Sequence, residues 1–392
     1  MTTVATRPAR ARHAAGARVT AWTAAWEALP IWLASRVAVA LAGLAGAWVL
    51  QGRNARNVEP WLHLWQHWDA DLFVKVARFG YPPTTAYPDR TEVDFPAMPI
   101  ALRVAHVLTG NWTAAGLLVS LVAGGVAACA LYHLAARADG PVAGRHAVIY
   151  LVCFPYAVFL FAGYSEALFL AFATTSWVFA KQRRWGPAAL CCAGASFTRI
   201  LGLCLALALI LEYVIASWRA DGFPSIFRPH AAWLVAPFVS TGTFVLYMHR
   251  RTRQWDFYQE AQEAGWHRHR DTIANGFRTV FNAAKGPDQA GFYAWSWRAE
   301  LGAVLLGALL VVLLIVAGYY AEALYVATST YLLAAQNYYA SSVRAALVWF
   351  PLYLLLARVT ARRPALHPWV VSLTAPLMVV FVLVFNQGGW VG

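Results

Sequence analysis

Residues 31–50 read IWLASRVAVALAGLAGAWVL. As a helix this run crosses a bilayer core, which takes about 20 apolar residues. It is too long for the core of a cleaved signal and reads as a signal anchor. Residues 1–29 ahead of it hold Arg7, Arg10, Arg12 and Arg18, with no acid before Glu27. They are expected to be a disordered basic tail on the cytoplasmic side, which places the stretch after the anchor outside the cytoplasm.

Similar runs recur at 112–135, 146–162, 165–180, 187–198, 200–217, 231–249, 300–318, 321–336, 344–357 and 368–387. With the first they make about 11 spans. Alternating them from a cytoplasmic N-terminus puts Arg137 and Arg145, Lys181, Arg183 and Arg184, Arg219 and Arg228, and Arg358, Arg362 and Arg363 in inside loops. That is the distribution the positive-inside bias demands. Tyr319–Tyr320 is an inside turn without a cation, and the split of 187–217 rests on Thr198–Arg199 in mid-run. The outside receives two long loops, 51–111 and 250–299, with residues 30–392 forming one membrane domain.

Composition agrees. The chain has 392 residues, 60% hydrophobic and 12% charged, with a mean hydropathy of +0.50. A soluble chain this apolar would expose far too much greasy surface, and solid runs are not the alternation of a membrane barrel. The sequence therefore specifies an all-α polytopic membrane protein, expected in the plasma membrane. A net charge of +13 suggests nucleic acid, but the cations flank spans, so no nucleic-acid partner is expected. Cys129, Cys153, Cys191, Cys192 and Cys204 all lie in apolar segments, with no disulfide or zinc spacing.

Between the first two runs lies WLHLWQHWDADLFVKVARFGYPPTTAYPDRTEVDFPAMP (61–99), which holds five of the chain's 18 acids from Asp69 to Asp94. Read as a helix over 62–80, it sets Leu62, Trp65, Asp69, Leu72, Phe73 and Val76 in one stripe about 100° wide. Asp71, Lys75 and Arg78 fall opposite, and Asp71 with Lys75 makes an ordinary i,i+4 pair. Asp69 has no cation on its own face. Its pKa should rise unless a partner arrives from elsewhere, and such a group suits a general base. A plain surface carboxylate, or one paired by a distant Arg, stays open. The opposed directions of Asp69 and Asp71 argue against a metal pair despite the D-x-D spacing, and no metal or cofactor is expected.

The second long loop carries QWDFYQEAQEAGWHRHR (254–270), which reads as an amphipathic helix on the membrane surface. Polar residues at the ends of apolar runs are costly and mark functional candidates. Tyr164, Ser165, Glu166, Arg199, His267 and Arg344 join Asp69 and Asp94 on the outer face under this topology. Glu166 and Arg199 also read as a pair that simply neutralises itself.

WDADLFVKVARFGYP (68–82) and DFPAMP (94–99), then FPYAVFLFAGYSEALFLAF (154–172), ASFTRILGL (195–203) and SSVRAALVWFPLYLLLA (341–357) occur in that order. Together they resemble the PIG-V-type mannosyltransferases and their actinobacterial relatives, over roughly residues 60–360. Two positions depart: Asp94 precedes the Phe-Pro-x-x-Pro pattern where many relatives have an aromatic or small residue, and Ala97–Met98 replaces a bulkier pair. The resemblance implies a GT-C-type transmembrane bundle with juxtamembrane helices in its two outer loops. It implies inverting transfer of mannose from a polyprenyl-phosphate-mannose donor to a hydroxyl of a lipid-linked or cell-envelope glycan. Asp69 matches the family's Trp-Asp and would be the base. Arg199 and Arg344, with His267, would take the donor phosphate, and Trp68, Asp94, Tyr164, Ser165 and Glu166 would bind substrate. A flippase of lipid-linked sugars is the alternative, as is a transferase of another polyprenyl-phosphate sugar. A transporter should show broken spans in two related halves near mid-bilayer, whereas this chain gathers its polar groups at one face and shows no half-repeat.

Overall fold

A computed structural model describes residues 19–50, 60–83, 90–286 and 292–391. The expected disordered tail lies largely outside the described residues. Helix α1 (Ala21–Leu50) begins well before the run at Ile31, so residues 21–29 are helical. Helices α2 (Asp69–Phe79), α3 (Ala97–Thr109), α4 (Trp112–Asp139), α5 (Pro141–Val152), α6 (Ser165–Lys181), α7 (Trp185–Thr198) and α8 (Leu201–Asp221) follow. Then come α9 (Ala236–Thr252), α10 (Phe257–Trp266), α11 (Ile273–Lys285), α12 (Phe292–Val316), α13 (Tyr320–Ala334), α14 (Ser342–Leu347), α15 (Phe350–Arg362) and α16 (Leu366–Asn386). Six helical stretches among the described residues are long and apolar enough to cross a membrane: α1, α4, α8, Pro229–Thr252, Trp295–Val316 and α16. The chain is an all-α integral membrane protein.

Two expected spans are not single helices. The 146–162 run ends as helix at Val152 and resumes as a 3₁₀ turn at Ala157–Leu160. Pro155 explains the break, because it lacks an N–H and disfavours helix in the residue before it. The 344–357 run divides at Val348–Trp349, with Pro351 in the first turn of α15. The break at Thr198–Arg199 is real: Arg199 is extended, at φ −154° and ψ 152°.

Helix α4 is the hub, packed against α1, α3, α5 and α6. Without a strong hydrophobic drive between helices in lipid, close packing of small residues decides such contacts. A Cβ on Gly124 would collide with the Trp32 ring of α1, whose Nε1 donates to the Leu121 carbonyl at 3.0 Å. A Cβ on Gly116 would stand 2.9 Å from Gly163 Cα, so α4 runs against bare backbone just before Tyr164.

The segment phased as one helix over 62–80 is two. A 3₁₀ turn at Trp61–Trp65 stops at Gln66, and α2 starts at Asp69. Trp68 between them has φ +56°, a conformation no helix contains. Helix α2 buries Phe73, Val74 and Ala77 against Met98, Leu102 and Ala105 of α3 and Ala115 of α4. Val76, Tyr81 and Phe95 pack on Phe244, Met248 and Phe257 of α9 and α10. The short helices α2, α3 and α10 thus form a cap on one end of the bundle.

At the opposite end Lys181 bonds Glu212 at 2.9 Å and Glu322 at 3.0 Å, and Asp139 pairs with Arg358 and Arg362 at 3.4 and 3.2 Å. Arg358 also donates to the Tyr319 hydroxyl, so the turn that lacks its own cation borrows one from α15.

Candidate active site

Four charged side chains from four separate segments meet under the cap. Asp69 comes from the start of α2, Glu166 from the first turn of α6, Arg199 from the break after α7 and Arg344 from α14. Arg344 NH1 donates to Asp69 Oδ2 at 2.7 Å. Its Nε and NH2 donate to Glu166 Oε1 at 3.0 and 2.8 Å. Arg199 NH1 donates to the same Oε1 at 2.5 Å and to Ser165 Oγ at 3.0 Å. The result is a line of alternating charge, Asp69–Arg344–Glu166–Arg199. The distant partner for Asp69 has arrived, and it is Arg344.

Burial grades along this line. The side chains of Glu166 and Arg344 are 0% and 4% exposed, that of Arg199 18% and that of Asp69 25%. Arg344 cannot swing: its guanidinium lies 4.7 Å from the Phe159 ring centre and 4.9 Å from that of Tyr164. Such cation–π contacts add attraction where water is excluded. The Glu300 carboxylate of α12 accepts from the Ser342 N–H at 2.7 Å and so caps α14, which carries Arg344. The Tyr164 hydroxyl donates to the His67 carbonyl at 2.9 Å, tying α6 to the segment that leads into Asp69. Everything except Asp69 is clamped from behind.

Asp69 opens on a cavity of about 280 Å³. Ser165, Arg199 and Arg344 share its wall with Asp94, Tyr258, Gln262, Arg268, Arg270 and Trp390. Tyr164 and Glu166, expected to bind substrate, do not reach it: Tyr164 lies beneath Arg344 and Glu166 is consumed by two arginines. His267 is exposed and away from the wall. Its carbonyl accepts from Asn337 Nδ2 at 2.9 Å. In its place Arg268 and Arg270 line the cavity, on a short non-helical segment pinned to residues 335–337. His269 N–H donates to Asn337 Oδ1 at 3.1 Å, and Arg270 makes an antiparallel bridge with Gln336. Arg268 Nε is buried without a hydrogen-bond partner. The alternation His-Arg-His-Arg at 267–270 was the available signal: extended backbone puts every second side chain on one side. Trp390 had no such signal. It lies beyond the last span and packs on the half-exposed Trp68 at 5.3 Å.

Asp71 turns elsewhere and accepts from Gln66 Nε2 at 2.7 Å. Asp69 and Asp71 therefore serve different partners, as the helical phasing required.

Six non-glycine residues among those described have positive φ: Trp68, Arg90, Arg183, Arg253, His267 and Ser341. Four of them directly precede the segments that supply Asp69, Asp94, Arg268 and Arg344. Such conformations cost about 1–3 kcal/mol each and tend to concentrate where side chains must be aimed.

No family model matches the chain, and no curated protein matches it. Solved structures similar to it include the following two. One is ArnT from Cupriavidus metallidurans bound to undecaprenyl phosphate, with a TM-score of 0.44 and 13% identity over 91% of this chain and 78% of that one. The other is the apo Archaeoglobus fulgidus oligosaccharyltransferase, with a TM-score of 0.39 and 12% identity over 91% of this chain. The chain spans about half the length of that second protein, 54% of it.

Proposed function

We propose that the chain is a GT-C-type, PIG-V-like glycosyltransferase that moves mannose from a polyprenyl-phosphate donor to a hydroxyl of a lipid-linked or cell-envelope glycan outside the cytoplasm. The observation that carries this reading is Asp69. It is the most exposed member of the four-charge line, it is the carboxylate of that line that stands on the cavity wall, and it is held by an arginine that is itself buried. A positioned carboxylate of this kind suits removal of an acceptor proton, a contribution of about 10²–10⁴-fold.

In the proposed reaction the acceptor hydroxyl loses its proton to Asp69 as its oxygen attacks the sugar's anomeric carbon from the side opposite the phosphate. The carbon–oxygen bond to phosphate breaks, and the lipid phosphate leaves with the electron pair. No acid is needed for it, but cations are. Arg199 and Arg344 are already engaged by Glu166 and Asp69. Arg268 and Arg270 on the facing wall suit the phosphate better, and Arg268 has an unused buried donor. No metal is required in this scheme.

The test is transfer by the purified protein in lipid nanodiscs, with a panel of polyprenyl-phosphate sugars and glycan acceptors. Wild type should transfer mannose, and chelators should not stop it. Asp69→Asn should lose at least about 10³-fold while keeping its melting temperature. Near wild-type transfer by the variant would remove Asp69 from the base's role, and a preference for another sugar would correct the donor.

A further inference from the structure

Asp94 is a second carboxyl on the same cavity as Asp69, and it lacks the support that Asp69 receives. It follows the 3₁₀ turn Thr91–Val93 and is 7% exposed, and its Oδ2 is buried without a hydrogen-bond partner. Its main chain, by contrast, is fixed. The Tyr81 hydroxyl donates to its carbonyl at 2.6 Å, and the neighbouring Phe95 ring packs on Phe244 at 5.0 Å. The acid is held in position from the backbone, with one oxygen left unspent.

We propose that Asp94 is carried as the neutral acid and binds a substrate hydroxyl as both donor and acceptor, leaving proton removal to Asp69. The substrate class, a sugar hydroxyl, rests on the glycosyl-transfer reading above; the neutral state does not.

The charges around it support this. Asp69 faces it from α2, Arg344 from α14, Arg199 from the break after α7, Tyr258 from α10, and Glu92 from its own turn. Burial pushes the Asp94 carboxyl well above the usual carboxylate range, and the charge of Asp69 pushes it further. Arg344 and Arg199 pull it back, but both are already bound by Glu166. Glu92 is a second acid and pushes Asp94 up as well; it is fully buried, both its side-chain oxygens lack partners, and burial raises its own carboxyl too. Two carboxylates sharing a site do not both ionise cheaply, and Asp94 is the one whose Oδ2 is buried without a hydrogen-bond partner, whereas Asp69 has the guanidinium at 2.7 Å. A neutral acid also adds no negative charge where a phosphate must enter and leave. Its O–H and C=O match the donor and acceptor of a sugar hydroxyl.

The sign of the pH effect follows. A carboxyl raised in the folded state binds its proton more tightly there than in the unfolded chain. Stability therefore falls as pH rises from the ordinary carboxylate range through the raised one. Asparagine keeps a donor and an acceptor but cannot ionise.

The experiment compares the full chain with Asp94→Asn and Asp94→Leu in nanodiscs. Melting is followed from about pH 5 to about pH 9, above the range of ordinary carboxylates. Wild type should lose melting temperature relative to Asp94→Asn as pH rises, whereas parallel curves overturn the neutral assignment. In the transfer assay Asp94→Asn should lower kcat/KM by about fivefold and abolish the alkaline limb, and Asp94→Leu by about a hundredfold. An asparagine variant as impaired as the leucine one, with its alkaline limb intact, overturns the hydroxyl contact. If wild type transfers no polyprenyl-phosphate sugar at all, the glycosyl-transfer reading and the sugar hydroxyl fall together. The melting comparison then decides the protonation of Asp94 by itself.

Discussion

The protein has an ion network at each end of its bundle, and only one of them looks like chemistry. Under the cap, Asp69, Arg344, Glu166 and Arg199 alternate in sign and sum to zero. At the far end Lys181 is shared by Glu212 and Glu322, Asp139 is shared by Arg358 and Arg362, and these also sum to zero. The far end has a cavity of its own, about 350 Å³, lined by Leu134, Val178, Leu314, Leu354 and Leu355 beside its charges. Buried ion pairs and empty volume therefore do not separate a site from a scaffold. What separates them is convergence. The capped cavity gathers two carboxyls, Gln262, Tyr258 and the arginines Arg268 and Arg270 onto one wall system, and positive-φ residues aim four of its segments.

The comparison breaks most easily on its acids. Asp69→Asn should abolish transfer, whereas Asp139→Asn at the far end should leave the rate within about twofold, because its loss touches no reacting atom. Equal losses in the two variants would mean that the networks share a structural role. Next in size is Glu166→Gln. Removing a fully buried carboxylate strands two guanidiniums, and breaking such a pair costs about 3–5 kcal/mol. The expected result is a large fall in melting temperature together with lost activity. Arg344→Lys should keep the fold but lose about 10²-fold in rate, since an ammonium cannot bridge Asp69 and Glu166 with a planar fork.

Asp69, Glu166, Arg199 and Arg344 could be named from the chain because each is an anomaly: a charge where its neighbours are apolar or suited to lipid. The helical phasing also separated Asp69 from Asp71, and the structure gives them different partners. Phasing assumed one helix across 62–80, however, and nothing local announces a break at Trp68. Trp390, from the far end of the chain, packs on the Trp68 ring, a contact no local pattern could announce. Helix α3 was hidden inside a presumed loop because its apolar outer face, Ile100, Val104, Val107 and Leu108, is shorter than a span. The Glu166–Arg199 pair was legible in the chain and is present, but the second arginine on Glu166, Arg344, was not. Pairing belongs to contacts between residues 178 positions apart in the case of Glu166 and Arg344, and no window of sequence contains them.

A smaller effect sharpens the division of labour among arginines. Arg268→Ala with Arg270→Ala should raise KM for the lipid-phosphate donor about tenfold, with a smaller fall in kcat, because a charge-assisted contact is worth roughly 1.5–3 kcal/mol. His267→Ala should do little, since its side chain stands off the wall. The reverse result, a large effect at His267 and none at Arg268 or Arg270, would return the phosphate to the residue the sequence pointed to.

The smallest effect is expected from Lys181→Met, and it tests the far end alone. Lys181 is one-third exposed and sits over the Trp177 ring at 5.3 Å, so a methionine of similar length preserves the packing while removing the charge. Glu322 keeps the Trp177 Nε1 donor at 3.1 Å, and Glu212 keeps access to water. The stranded carboxylates should therefore cost only about 1–2 kcal/mol after discounting for exposure. Melting temperature should fall a little and transfer should not change. A loss of transfer at unchanged melting temperature would mean that the two ends are coupled through α6, which carries both Glu166 and Lys181, and that the far network is part of the machinery.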